Sequence, residues 1–327
     1  MVRRRRQRSG LGSCAVRIAL LVNPAASSVT TRGRVSLERL LAADHELTVL
    51  ETMRRDHATE LARVAVAGGA EVVFVLGGDG TLNETADGLA GSSTALAVLP
   101  GGSTNVFARA IGVEYDPVEA GWQLLAALER GAVQRVGLGS ARAPGREWRR
   151  FVFHLGVGFD AAVIRQMEQR SYLKRHFAHP AFALAGCTTW LRHYDRSTTI
   201  RVRATNAATT TEILAEGPYA VISNADPYTY VGHRRMTISP YASLDDALSV
   251  TVLRNLHLPL VSRAISSAVA SGHYLASSPD VTQLGDVTAV SISAARPFPW
   301  QVDGDYLGEV EHLDVRHDPE CLSLVIP

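Results

Sequence analysis

Residues 75–89 read VLGGDGTLNETADGL. An apolar run ends at Gly77-Gly78, then come Asp79, Gly80 and Thr81, and a helix-like pattern follows. Glycine allows backbone shapes and close approaches that a Cβ blocks. A helix that starts there offers unpaired N–H groups and the positive end of its dipole, which together hold phosphate. Asp79 is out of place in such a turn. Beside phosphate a lone carboxylate repels, unless a cation sits between or the carboxylate takes a proton from an incoming hydroxyl. A plainer reading makes Asp79 a turn residue bonded to its own backbone. Thr81 and Glu84 have capping-box spacing, so Thr81 is expected to cap the helix. A second stretch, VLPGGSTNVF at 98–107, repeats the order strand, Gly-Gly, hydroxyl, helix. A third, VDGD at 302–305, sets Asp303 and Asp305 around Gly304, and Asp-Gly between strands predicts a tight hairpin.

The surrounding elements must bring these turns together. Up to residue 131 apolar strands alternate with helical runs: VRIALLVN, RVSLERLLAA, HELTVLET, DHATELARVAVAGG, EVVFVLGG, TLNETADGLA, ALAVLPGG, STNVFARAIG and VEAGWQLLAALERG. That alternation predicts a parallel sheet covered on both faces. Loops at the carboxyl ends of such strands line the ligand crevice, so both glycine turns and the Asn23-Pro24 turn are expected at one edge. From about 135 to 310 the segments become short, β-branched and turn-punctuated, which predicts an antiparallel sandwich or barrel. The expected division is a basic tail at 1–14, an α/β domain at 15–136 and a β-rich domain at 137–311. A helical insertion is expected at 161–194, and a last strand at about 312–327 could return to either domain.

A chain of 327 residues, 46% apolar and 20% charged, supports two domains with real cores. Its formal charge of +1 argues against nucleic acid as partner. Five of the first eight residues are arginine, which reads as a solvated tail or as a foothold on anionic lipid. Cys14, Cys187 and Cys321 are widely spaced, which fits a reducing cytoplasm without disulfides or zinc. No apolar run reaches the roughly 18–20 residues of a membrane-spanning helix. The chain has neither GxxxxGK[ST] nor GxGxxG after its first strand, which excludes a P-loop and an ordinary dinucleotide fold. Arg109 reads as a solvated helix-face charge, with pairing to phosphate as the alternative, His154 as a core histidine, and Trp190 and Tyr194 as core aromatics.

Taken in order, these motifs resemble the diacylglycerol kinase catalytic-domain family, which includes bacterial lipid kinases and sphingosine and ceramide kinases. GGDGT at 77–81 is its central motif. NPAAS at 23–27, PGGSTN at 100–105, GVGFDAAV at 156–163, ASLDDALSV at 242–250 and VDGD at 302–305 match further segments in the family's order. The resemblance implies an α/β nucleotide domain of NAD kinase or diacylglycerol kinase type, followed by an antiparallel β-sandwich. It implies transfer of the γ-phosphoryl of ATP to a lipid hydroxyl, with Mg2+ as cofactor. Diacylglycerol is the first choice of acceptor. A sphingosine- or ceramide-type kinase, an NAD-type kinase and a catalytically weak binding relative are the alternatives.

Carried over onto this sequence, the nucleotide-contacting positions are Asn23, Ser27, Thr52, Gly77, Gly78, Asp79, Gly80, Thr81, Leu82, Asn83, Gly102 and Ser103. Asp305 falls at the proton-acceptor position, with Asp303 and Asp79 as supporting carboxylates. The Ser243 and Leu248 carbonyls and Asp246 match a magnesium site in the second domain. Departures are Ser27 and Ala247 for glycine, Asp305 for glutamate, and Val106 and Gly137 where some relatives carry aspartates. The implied setting is cytoplasmic and peripheral to the inner face of the membrane, with lipid as partner and a homodimer as an option.

Overall fold

The computed structural model describes residues 15–169, 198–207, 212–270 and 278–327. The basic tail and most of the expected helical insertion, with Trp190 and Tyr194, lie outside the described residues.

The first half alternates as expected. Strands β1 (Arg17–Val22), β2 (Glu46–Glu51), β3 (Val72–Gly77) and β4 (Ala95–Pro100) pair in parallel in the order β2-β1-β3-β4. Every residue of β3 and β4 is buried, as befits strands covered on both faces. The helices α1 (Thr31–Leu41), α2 (His57–Ala67), α3 (Asp79–Leu89), α4 (Val106–Ala110) and α5 (Pro117–Glu129) cover them. Local signals set their starts. Thr30 caps α1 through its side chain and Gly33 N–H at 3.1 Å. Asp116 caps α5, with Pro117 in the first turn where its missing N–H costs nothing.

The second half is antiparallel, and its inward faces build a separate core around Phe151, Leu155, Ile222, Val250, Phe298 and Trp300. It contains β5 (Val133–Arg142), β6 (Arg149–Phe151), β7 (His154–Gly158), β8 (Ile200–Asn206), β9 (Glu212–Gly217), β10 (Tyr219–Ser223) and β13 (Leu248–Leu253). A small separate hairpin pairs β11 (Thr229–Val231) with β12 (Arg234–Met236). Helix α6 (Phe159–Gln169) follows β7, and α7 (Leu258–Ala270) packs beside β12.

Two long strands join the halves. β14 (Val281–Val302) and β15 (Asp305–Val325) form an antiparallel ribbon whose tip is Asp303-Gly304. The far end of β15 then runs into the first half. Ser323 and Leu324 pair in parallel with Ala95 and Leu96 of β4, while β5 closes the other side of β15. Among the described residues the result is one continuous 13-stranded sheet.

Candidate active site

The loops after β1, β2, β3 and β4 lie along one edge of the parallel sheet. They are tied together by backbone: Asn23 N–H donates to Leu76 C=O, Thr52 N–H to Val22 C=O and Gly101 N–H to Gly77 C=O, all at 2.9 Å. The two glycine turns touch. A Cβ on Gly101 would lie 2.8 Å from the Gly77 nitrogen, and one on Gly102 would lie 2.7 Å from Gly78 Cα. Only glycine permits that contact. Asn105, buried and left-handed at φ 46°, brackets Gly102. It accepts from Gly102 N–H and donates to Gly102 C=O, both at 2.8 Å.

Asp79 joins the turns from the other side. Its carboxylate accepts from the amides of Val106 at 3.1 Å and Phe107 at 3.4 Å, the first residues of α4. Burial pushes its pKa up and the two amides pull it down. The turn-residue reading is therefore half right: Asp79 does bond backbone, but that of the other glycine turn.

The capping-box expectation fails. Helix α3 starts two residues early, at Asp79 with Gly78 as cap, so Thr81 lies inside the first turn. Thr81 instead accepts from Asn23 Nδ2 at 2.8 Å, which locks the first loop onto the second. Glu84 accepts from Ala58 N–H at 3.0 Å and so caps α2, whose own cap residue, Asp56, makes no side-chain bond. Leu82 and Asn83 are buried. Ser27 and Ser103 are exposed, and it is Ser28 that bonds the PGGST turn, through Gly101 C=O at 2.9 Å and Gly102 C=O at 3.0 Å.

The cradle fits phosphate. The first intrahelical bond of α3 is Leu82 N–H to Gly78 C=O, which leaves the amides of Asp79, Gly80 and Thr81 without a helical partner. A Cβ on Gly80 would meet nothing within 4 Å, so the approach is open.

The acidic hairpin sits apart in sequence but is wired to the same place. Asp303 (φ 48°) and Gly304 (φ 85°) form a two-residue turn with both residues left-handed, the hairpin predicted from Asp-Gly. Asp303 accepts from the amides of Val152, Phe153 and His154 at 2.8, 3.0 and 2.9 Å. Burial pushes it up to about 7 against the pull of these amides. The Phe153 ring meets Phe107 edge-on at 5.7 Å, and Phe107 N–H bonds Asp79. The acidic motifs are thus joined through one aromatic pair and its amides. Asp305, a third exposed, is flanked by Arg55 from the loop after β2 at 3.4 Å and Arg149 of β6 at 3.3 Å.

A carboxylate has roughly four acceptor sites. Asp79 has used two and Asp303 three, so Asp79 keeps more acceptor capacity free for a cation. The second implied magnesium site is poorer. The Ser243 carbonyl accepts from Asp246 N–H at 3.3 Å, Asp246 is exposed, and Leu248 is a buried strand residue. The described residues contain no cluster of three or more His, Cys, Asp or Glu side chains suited to a metal.

Arg109 and Gly137 behave unlike their sequence context, and His154 follows its own. Arg109 is not merely a solvated charge: its guanidinium lies 3.6 Å over the Tyr230 ring and donates to Gly232 C=O at 3.1 Å. That ties α4 to the β11–β12 hairpin. His154 is a core histidine as expected, stacked on Tyr228 at 4.2 Å, and burial lowers its pKa to about 3. Gly137 faces His317, whose Nε2 would lie 2.0 Å from a Cβ there, so imidazole fills the space that a side chain at 137 would need.

Comparison with known proteins agrees with this arrangement. The diacylglycerol kinase catalytic domain matches residues 17–141, and the YegS C-terminal NAD kinase beta sandwich-like domain matches residues 154–326. The chain belongs to the diacylglycerol kinase family. A relative from Pseudomonas aeruginosa named "Probable lipid kinase YegS-like" is 32% identical over 165 residues, 50% of each chain. A Bacillus subtilis protein named "Diacylglycerol kinase" is 34% identical over 84 residues, 25% of this chain and 28% of the relative. The chain spans about half or less of the curated relatives it matches. The fold aligns over nearly its full length with a crystal structure of a diacylglycerol kinase from Bacillus anthracis. The TM-score is 0.70 at 20% identity, covering 95% of this chain and 97% of that one.

Family membership could be read from the motifs. The roles of Ser28, Asn105, Arg55 and Arg149 could not. Ser28 and Asn105 stand inside or beside quoted motifs, but Arg55 and Arg149 look like any surface arginine until the fold sets them on Asp305.

Proposed function

We propose that this chain is a lipid kinase that moves the γ-phosphoryl of ATP to a lipid hydroxyl, with diacylglycerol as acceptor and phosphatidic acid as product. The observation that carries the reading is the Asp79 bridge between two glycine turns, on an edge that also meets the Asp303-Gly304-Asp305 hairpin. In this reading the amides of Gly80 and Thr81 receive phosphate oxygens. Bound magnesium would neutralise phosphate charge, and Asp79 offers it the free lone pairs. Asp305 accepts the proton of the lipid hydroxyl as its oxygen bonds the γ-phosphorus, and the bond to the bridging β–γ oxygen breaks to release ADP. A loose transition state asks mainly for such positioning and charge balance. Arg55 and Arg149 hold Asp305 until the acceptor hydroxyl arrives.

The acceptor is a membrane lipid, and no helix among the described residues is long and apolar enough to cross a bilayer. We place the enzyme peripherally at the cytoplasmic face. Leu258, Ile265 and Val269, exposed on one stripe of α7, support that placement, as do the exposed His233 and Arg234 of the β11–β12 hairpin that packs beside α7. The test is label transfer from γ-labelled ATP with magnesium to diacylglycerol, ceramide, sphingosine and NAD in turn. Label in diacylglycerol, abolished in Asp79→Asn with the fold intact, is the expected result. No label in any acceptor from folded protein would favour a non-catalytic binding relative, a reading to which the His317-filled Gly137 position lends weight.

A further inference from the structure

The segment GVGFDAAV has no part in the chemistry above, yet it buries a carboxylate. Asp160, in the first turn of α6, is 6% exposed. Its Oδ1 accepts from the Tyr228 hydroxyl at 2.7 Å and its Oδ2 from Gln301 Nε2 at 2.8 Å. Gln301 is fully buried, and its Oε1 accepts from Gly304 N–H at 2.8 Å. A chain of hydrogen bonds thus runs from Tyr228 through Asp160 and Gln301 into the turn that carries Asp303 and Asp305. The glycines of the segment make room for it. Gly156 lies opposite Gln301 across the β7–β14 pairing, and a Cβ there would sit 1.7 Å from Asp160 Oδ2 and 2.6 Å from Gln301 Nε2. Gly158, at φ 70°, turns the strand into α6 with its Cβ position 2.2 Å from Pro218 C=O.

We propose that Asp160 is a positioning residue for Asp305, acting through the Gln301 amide and the Gly304 backbone. The proposal rests on the reading of Asp305 as proton acceptor. An ionised carboxylate only accepts, so it holds the Gln301 NH2 toward itself and the Oε1 toward Gly304. A flipped amide would set an NH2 against the Gly304 N–H and leave both unsatisfied in a buried site. Asp303 clamps the other side of the same turn through the amides of residues 152–154. Asp305 follows Gly304 directly and its side chain is only loosely flanked, so the turn's backbone sets where its carboxylate starts.

Three variants test this at pH 8: Asp160→Asn, Gln301→Glu and the double variant. Asn at 160 can offer N–H to Gln301 and flip its amide. Glu at 301 sets two carboxylates together. The double variant restores a donor facing an acceptor and keeps an oxygen for Gly304 N–H, with the polarity reversed. Hydrogen exchange at Gly304 reads the clamp without catalysis, while kcat and ATP affinity read its consequence. Each single variant is expected to speed Gly304 exchange and lower kcat at least tenfold, with ATP affinity within about twofold. The double variant is expected to recover both exchange protection and most of kcat. Thermal midpoints identify any variant that fails to fold, and Tyr228→Phe, which loosens Asp160 without reversing polarity, should show a smaller loss. Unchanged Gly304 exchange in the single variants overturns the proposal. So does altered exchange with unchanged kcat, or a kcat loss matched by lost ATP binding. A wild-type protein that transfers no label overturns the kinase reading itself, and the role of Asp305 with it. The exchange data then still decide whether the clamp exists.

Discussion

Asp79 and Asp305 look alike in sequence but differ in what surrounds them. Asp79 is held by two amides of α4, whereas Asp305 is held, among the described residues, by two arginine side chains on a partly open surface. A general base contributes about 10²–10⁴ in rate. Asp305→Asn should therefore lower kcat by about that factor and leave ATP affinity near wild type, measured by steady-state label transfer and nucleotide titration. His154 belongs to a different account. Its folded pKa of about 3 lies below the ordinary 6.5, so between those values the unfolded chain binds the extra proton. Stability from this group is lost as pH falls through that window, at up to about 1.4 kcal/mol per pH unit. Asp160, raised to about 6, acts in the opposite sense: its contribution is full below the unfolded carboxylate pKa and fades as pH rises through 6. His154→Phe should flatten the acid side of the stability profile by the histidine share, read from denaturant unfolding between pH 3 and 6.5. A slope equal to wild type would mean that the imidazole is protonated in the fold.

At the level of elements, the site is a set of turns packed on turns. The Gly77-Gly78 and Gly101-Gly102 backbones meet with no room for a side chain, and Asp79, Asn105 and Ser28 fasten that contact. Gly102→Ala would place a methyl 2.7 Å from Gly78 Cα, with backbone rather than a flexible side chain as the obstacle. Overpacking of this kind costs about 1–3 kcal/mol. Because the two turns must part, ATP affinity should fall at least tenfold, while a circular dichroism spectrum stays native. Retained affinity would show that the close contact is not part of the cradle. The strand–turn–helix order of both motifs was legible from glycines and apolar runs. The start of α3 was not, because Thr81 has the residue type of a cap, and the bond it makes, to Asn23, lies 58 residues away.

Over the whole molecule, β15 decides how the halves relate. It leaves the acidic hairpin in the second half, runs along β5, and ends between β4 and β5 in the first. The hairpin and the glycine turns are thus fixed to one sheet, and Phe107–Phe153, Arg109–Tyr230 and Arg55–Asp305 fasten them across the cleft. The proposed membrane-facing surface belongs to this scale too. Residues 227–244 and 247–279 contain no Asp or Glu, and α7 sets exposed apolar side chains among them. Sedimentation with phosphatidylglycerol vesicles should fall several-fold in Ile265→Asp, and further when residues 1–14 are also removed. Unchanged sedimentation of both would refute interfacial binding through these elements.

The sequence by itself determined the alternation of strand and helix, the family, the glycine turns and the Asp-Gly hairpin. Each of these is written in local periodicity or in residues whose backbone freedom is intrinsic. Only the tertiary structure decided which partner each polar group takes. Asp79 serves another turn, Glu84 caps another helix, His317 fills the space beside Gly137, and Asp160 reaches a turn 144 residues away through Gln301. Such pairings depend on distances that close only when the sheet forms, and no spacing along the chain encodes them.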